Sequence, residues 1–319
     1  MASESNRELL EILDATPRRV AGALQGLPRA LLLWTPAPGR WSLVELAGHW
    51  RDFDSEIFLE SYRRIATSER PTLPHRDPDE RALESDARRT RVSEIVRTWR
   101  RTRRETLAFL TALPPAAWQR EGVHPIDGPL TLRVLVERQA RDYDLVHVRE
   151  IERIQERYGI LTRLGDAPRE LRRVIEAIPV GLRAARPEPG RWSIVEHVCH
   201  LRDRDQLALT RFTRMARVDR PPLRELDGAA LATTCGYATQ DCDEAMREWE
   251  RRRNLLVELL HVLDHTAWQR RALHPRHGET TIAELVAHHL DHDAAHATHV
   301  RALRNVLVSK PALVDPVIA

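Results

Sequence analysis

Residues Pro38-Gly39-Arg40-Trp41-Ser42-Leu43-Val44-Glu45 return about 150 positions later as Pro189-Gly190-Arg191-Trp192-Ser193-Ile194-Val195-Glu196. Eight residues beyond each tryptophan stands a histidine, His49 or His200, followed after one apolar residue by an Arg-Asp pair. Working outward, Trp99 matches Trp249, and Trp118-Gln119-Arg120 matches Trp268-Gln269-Arg270. His124-Pro125 matches His274-Pro275, and Gly128 matches Gly278. The order is kept and the offset stays near 150, which is the mark of duplication and fusion. The 319 residues therefore divide into two copies, 1–157 and 158–319, joined around Tyr158 to Asp166.

Each copy reads as four helices, and strand signals are weak because long alternating β-branched runs are absent. The first helix is expected to open near Thr16-Pro17 in one copy and Asp166-Ala167-Pro168 in the other, where a capping side chain precedes a first-turn proline. The second opens with a capping box, Ser42 to Glu45 and Ser193 to Glu196. The third runs through Trp99 or Trp249. The fourth begins after Gly128 or Gly278. Thr281 to Glu284 forms a further capping box that the first copy lacks, with Val134 opposite Glu284. Prolines such as Pro114-Pro115 and Pro221-Pro222 cluster between helices. The fold class is all-α: two tandem antiparallel four-helix bundles. A pseudo-two-fold relation is expected, the first copy filling the place a second subunit takes in a homodimer, so the chain acts as a monomer. Further self-association is left open.

Composition narrows the partners. An apolar share of 42% supports two real cores. Fifty basic residues against 47 acidic ones leave a net charge of +3, and the signs alternate, as in Arg202-Asp203-Arg204-Asp205. That pattern makes solvated helix faces rather than a phosphate-binding stripe, so nucleic-acid binding is not expected. Cys199, Cys235 and Cys242 are odd in number and lack a CxxC spacing. They suit a reducing cytoplasm better than a disulfide framework. No stretch reaches 18 uninterrupted apolar residues, and Met1 to Asn6 carries no basic segment before an apolar run. Neither a membrane span nor a signal peptide is expected.

Eleven of the 15 histidines fall in the second copy. The seam of its last helix reads Ile282, Leu285, His289, His292, His296, His299, Leu303, Val306, with four histidines where a bundle wants leucine. Burying such rings without partners is costly, and a metal ion resolves the conflict. His292 and His296 are four apart and share a helical face. His200, on another helix and recurring in both copies, is the best third ligand. Three imidazoles leave a position open for water or substrate, as catalytic sites do. A shifted pair, His288 with His292, has the same spacing, but the repeat comparison argues against it. Asp203 lies three residues after His200 and can orient an imidazole or accept a proton as a catalytic residue. A surface ion pair with a neighbouring arginine is its competing reading. Cys199 is rotated about 100° from His200 on a helix and reads as a small core residue. The first copy offers His49 with Tyr143 and His147 if a one-residue gap is allowed, or His49 with Asp142 if not.

The Trp-Ser-x-x-Glu-x-x-x-His helix and the final His-Asp-x-x-His helix resemble those of the DinB superfamily, which includes YfiT-like metal-dependent hydrolases and thiol transferases. The resemblance spans each copy almost end to end, including the His274-Pro275-x-x-Gly278 turn. It implies a four-helix bundle, frequent dimerisation, and a divalent metal, commonly zinc or nickel, on His200, His292 and His296. The family often has glutamine where this chain has His299. Some relatives activate a low-molecular-weight thiol for transfer to an electrophile. The expected partner is then a small molecule, and the reaction is hydrolysis or thiol transfer. A thiol transferase needs arginines for cofactor carboxylates, with Arg202, Arg204 and Arg211 nearest in sequence; a hydrolase needs a carboxylate such as Asp203 beside a bound water. The alternative is a non-catalytic, metal-stabilised binding or scaffold protein.

Overall fold

The computed structural model describes residues 4–309; the first three residues of the segment read for a leader lie outside it. The chain divides into two units, Met1–Tyr158 and Gly159–Ala319. The first unit is built on helix Glu4–Leu24, the continuous helical stretch 43–67, helix Val92–Ala112 and the stretch beginning at Leu132. The second is built on the end of helix Leu145–Glu176, then Ile194–Arg217, Cys242–Val262 and Ile282–Ser309. No described helix is long and apolar enough to cross a membrane.

The expected caps form. Ser42 N donates to Glu45 Oε2 at 2.9 Å, and Ser193 N donates to Glu196 Oε2 at 2.8 Å. Thr281 and Glu284 exchange the same pair of bonds, whereas in the first unit only Val134 N donates to Thr131 Oγ1. Capping satisfies amide groups that the first helical turn leaves without partners.

Two readings of the ends need correction. The fourth helix begins after the glycine, at Leu132 or Ile282, but the segment leading into it is a pair of strands that the sequence did not announce. Glu121–His124 pairs antiparallel with Gly128–Thr131, and Arg271–His274 with Gly278–Thr281, so each glycine, with φ of 75° or 69°, turns a small hairpin. Strands of four residues are too short for alternation to show. Pro17 and Pro168 do not open helices either; they lie inside Glu4–Leu24 and Leu145–Glu176.

A proline inside a helix removes a backbone bond and strands the carbonyl four residues earlier. Here those carbonyls are taken by buried arginines. Arg103 Nη1 donates to Leu13 O at 3.0 Å, and Arg253 Nη1 donates to Leu164 O at 2.8 Å. Each guanidinium also grips two buried carboxylates. Arg253 Nε and Nη2 reach Asp205 at 2.7 and 2.8 Å, and Nη1 reaches Asp293 at 2.7 Å. Arg103 holds Asp54 and Asp144 in the same way. Both guanidinium groups stack over a tryptophan, Trp99 or Trp249, 5.4 Å from the ring centroid.

The two units differ by insertions. Asp54 corresponds to Asp205 and Ile65 to Met215, so the first unit has one residue more between them. Gln139 corresponds to His289 and Asp144 to Asp293, again with one residue more in the first unit. Both extra residues are absorbed as π-helical turns, Asp54–Leu59 and Arg138–Asp144, while the second unit stays α-helical there. The gapped register is therefore the structural one, with Tyr143 opposite His292 and His147 opposite His296.

Removing a buried arginine leaves two buried carboxylates without their counter-charge and one carbonyl without its donor. Arg253→Met is expected to lower the unfolding free energy of the second unit by about 3–5 kcal/mol in urea titrations. Arg251→Met, at an exposed neighbour, is expected to change it by less than about 0.5 kcal/mol.

Candidate metal centre

Helix Ile194–Arg217 enters through the Ser193 box, which sets its rotation so that His197, His200, Arg204 and Arg211 run along one side. Helix Ile282–Ser309 presents His289, His292 and His296. Its buried stripe continues through Val300, Leu303 and Leu307, while Val306 is 45% exposed and His299 is exposed. The seam drawn at alternating threes and fours fails at Val306, because a straight helix of 3.6 residues per turn drifts off a 3.5-residue repeat.

His200 Nε2 and His292 Nε2 face each other at 3.1 Å. The ring of His296 lies 4.9 Å from His200 and 4.3 Å from His292, centroid to centroid. Ligand atoms of His200, His292 and His296 all fall within 4.8 Å of one another. With metal–nitrogen bonds of about 2.0–2.1 Å, the edge of a tetrahedral site is about 3.3 Å, so this donor set fits one ion. A second group, His197, His296 and His299, meets the same distance test and shares His296. His197 Nδ1 and His296 Nδ1 are 2.8 Å apart. Sequence reading missed His197. Its signal was the spacing of three from His200, hidden because the repeat partner is Leu46.

Burial, reinforced by neighbouring positive charge, holds these imidazoles neutral. His292 is pushed down to about 2 by burial and then by Arg204, while His200 and His296 fall to about 3. His197 falls to about 4 for the same first reason. Neutral imidazole is the form that binds metal. Trp192 packs on His200 at 5.0 Å and on His296 at 6.1 Å, closing one side. Gly228 closes another: a Cβ there would come within 2.8 Å of His200 Cε1. On the open side lies a cavity of about 300 Å³ that reaches His200 and His292.

Other expected residues sit elsewhere. His289 is not a ligand of the cluster; it is buried against Asp205 at 2.7 Å, within the Arg253 network. Asp203 does not line the cavity. It accepts from Arg202 at 2.8 Å, Arg252 at 3.0 Å and Tyr237 at 2.7 Å. Burial raises its pKa, but these donors hold it below the usual carboxylate range. Its place is the competing one, an ion-paired carboxylate. Cys199 is a core residue, its thiol pushed up to about 12 by burial. Arg204 and Arg211 line the cavity; Arg202 turns instead to Asp203 and Gln240.

In the first unit, the ring of His49 is enclosed by Trp41 at 4.5 Å, Phe53 at 4.2 Å and Tyr143 at 5.0 Å. Tyr143 Oη donates to His49 O at 3.2 Å, and burial holds its hydroxyl well above the ordinary range. Among the described residues, both groups of three close enough to hold an ion lie in the second unit.

With this geometry in place, comparison adds lineage. The chain matches the DinB superfamily over residues 12–141 and 163–300, one match per repeat. Among solved structures it is similar to YfiT from Bacillus subtilis, titled a probable metal-dependent hydrolase with an unusual four-helix bundle topology. That match has 19% identity and a TM-score of 0.44, and it covers 47% of this chain and 86% of that one. No curated protein matches.

The depressed histidines give stability a definite pH dependence. Below pH 6.5 the unfolded chain binds protons that the folded chain refuses until about pH 4 or lower, as His49, His147 and His197 also show. Stability is thus fully present above 6.5 and lost on acidification. The melting temperature of chelator-treated protein is expected to fall steadily from about pH 7 to about pH 5; a flat profile would contradict the burial of these rings.

Proposed function

The chain belongs to the DinB superfamily, and on that premise we propose that its second unit is a metal-dependent enzyme with zinc or nickel held by His200, His292 and His296. The observation that carries this reading is the pair of converging Nε2 atoms, 3.1 Å apart on two buried helices. Without an ion, two neutral imidazoles share one proton there. An ion between them uses both lone pairs. When bound, it lowers the pKa of a water or thiol in its open position.

The chain's own residues do the rest. The His197–His296 contact leaves His296 Nε2 free as the ligand atom and fixes the ring, so His197 is a positioning residue. Trp192 walls off one side, and the cavity admits a small substrate from the other. Thiol transfer is the reading we put first because no carboxylate of the cavity is free to activate a water, although His274, His277 and His288 on its walls are bases a hydrolase would use. Attack by water calls for a nearby general base. Asp203 is committed to three donors, and Glu225, the one carboxylate lining the cavity, is paired with Arg276. A thiol needs only to lose its proton to become a nucleophile. Tyr143 stands where His292 would be, so the first unit is a structural copy without an ion. The three cysteines are free, as a reducing cytoplasm would leave them.

Elemental analysis of the purified chain is expected to give about one equivalent of metal. His200→Ala and His296→Ala should lose it and His299→Ala should keep it. Chelation should abolish transfer of a small thiol to an activated aryl halide, and reloading should restore it. Two equivalents in the wild type, or undiminished content in His200→Ala, would contradict the assignment. Gly228→Ala crowds His200 and is expected to weaken metal affinity about 10- to 100-fold in competition with a chelating dye.

A further inference from the structure

Arg204 and Arg211 follow His200 along the cavity side of helix Ile194–Arg217, and both line the cavity that reaches His200 and His292. Their surroundings are wrong for surface arginines. The Nε atoms of both are buried without a hydrogen-bond partner. Arg204 makes no hydrogen bond or ion pair among the described residues, and Arg211 has only the carbonyl of Arg224. Asp205 and Asp293 act on Arg204 only through space; both are ion-paired with Arg253, and Asp293 Oδ1 has no hydrogen-bond partner. Burial therefore lowers the pKa of both arginines, yet guanidinium stays charged at neutral pH. His274, Arg276, His277 and His288 add further nitrogen donors to the same walls, against Glu225 alone. A half-buried charge without a directly paired counter-charge is costly and persists where something supplies the missing anion.

The first unit is an internal control. The position of Arg204 is taken there by Phe53 and that of Arg211 by Ser61. The arginines that line its cavity are paired, Arg138 with Asp127 and Arg76 with Glu84. The copy that lacks the histidine triad also lacks the free guanidinium pair. Residues that served the bundle itself would be expected in both copies, as Arg103 and Arg253 are.

We propose that Arg204 and Arg211 form an oxyanion subsite beside the histidine cluster, so that the molecule occupying this cavity carries a carboxylate or phosphate group. The inference rests on the second unit being the active copy, but the subsite itself needs no ion. The guanidinium fork suits both groups, since each presents two oxygens to paired N–H donors. At about 300 Å³ the cavity takes a small molecule, with its anionic end on the arginines and its reacting end toward His200 and His292.

Calorimetric titration at constant ionic strength tests this with two probes, inorganic phosphate and succinate, while metal content is measured on every sample. The wild type is expected to bind at least one probe at one site per chain, and the stronger probe identifies the anion class. Arg204→Gln and Arg211→Gln should each weaken binding tenfold or more, and the double variant should abolish it with metal content unchanged. Arg204→Met should raise or preserve the melting temperature, because it removes an unpaired charge; this shows that lost binding is not lost folding. Metal-loaded wild type that binds neither probe, a double variant that binds undiminished, or a lower melting temperature for Arg204→Met would overturn the subsite. Wild type that binds a probe yet takes up no metal when loaded would overturn the metal reading instead and leave the subsite standing.

Discussion

One guanidinium ties four helices together in each unit. Arg253 sits on the third helix, grips Asp205 on the second and Asp293 on the fourth, and takes the carbonyl that Pro168 strands on the first. Arg103 repeats the arrangement with Asp54, Asp144 and Leu13 O. A buried ion pair is weak evidence for stability, since an apolar core of equal volume often does as well. Its geometry is demanding, however. All partners must converge on one plane, and that fixes the rotation and axial position of each helix. Asp205 stands five residues after His200, and Asp293 is the residue after His292. Pinning the two carboxylates to one guanidinium thus sets how the two histidines meet.

The same frame explains how the copies could diverge. Each π-turn of the first unit lies at an anchoring aspartate: one begins at Asp54 and the other ends at Asp144. The insertions are taken up beside the anchors, which keep their grip on Arg103. The clustered site changes around them, from imidazoles and arginines to Tyr143, Phe53 and Ser61. The scaffold is common to both copies; among the described residues the clustered histidines belong to one.

Much of this was legible in the residues. The repeat, the capping boxes and the third helices all show in local patterns, because caps and matched tryptophans depend on near neighbours. The convergence of His200, His292 and His296 was legible because polar rings in a seam contradict burial, although His299 is exposed and His289 belongs to the Arg253 network. What stayed hidden depends on partners far apart in the chain. Arg103 and Arg253 look like surface arginines in a charged helix, and nothing near them announces Asp54 or Asp205. Pro17 and Pro168 look like helix starts until the arginine that replaces the lost bond is known. Asp203 looked like a catalytic carboxylate only because its distant partners, Tyr237 and Arg252, were out of sight. His197 escaped because the first copy has Leu46 in its place.

The proposed function requires one ion between His200, His292 and His296, and none in the first unit. The most direct measurement is an anomalous difference map from crystals of the full chain loaded with zinc. A single strong peak is expected at bonding distance, about 2.0–2.1 Å, from one nitrogen of each of these histidines. A peak among His197, His296 and His299 instead, or one beside His49 and His147, would contradict it.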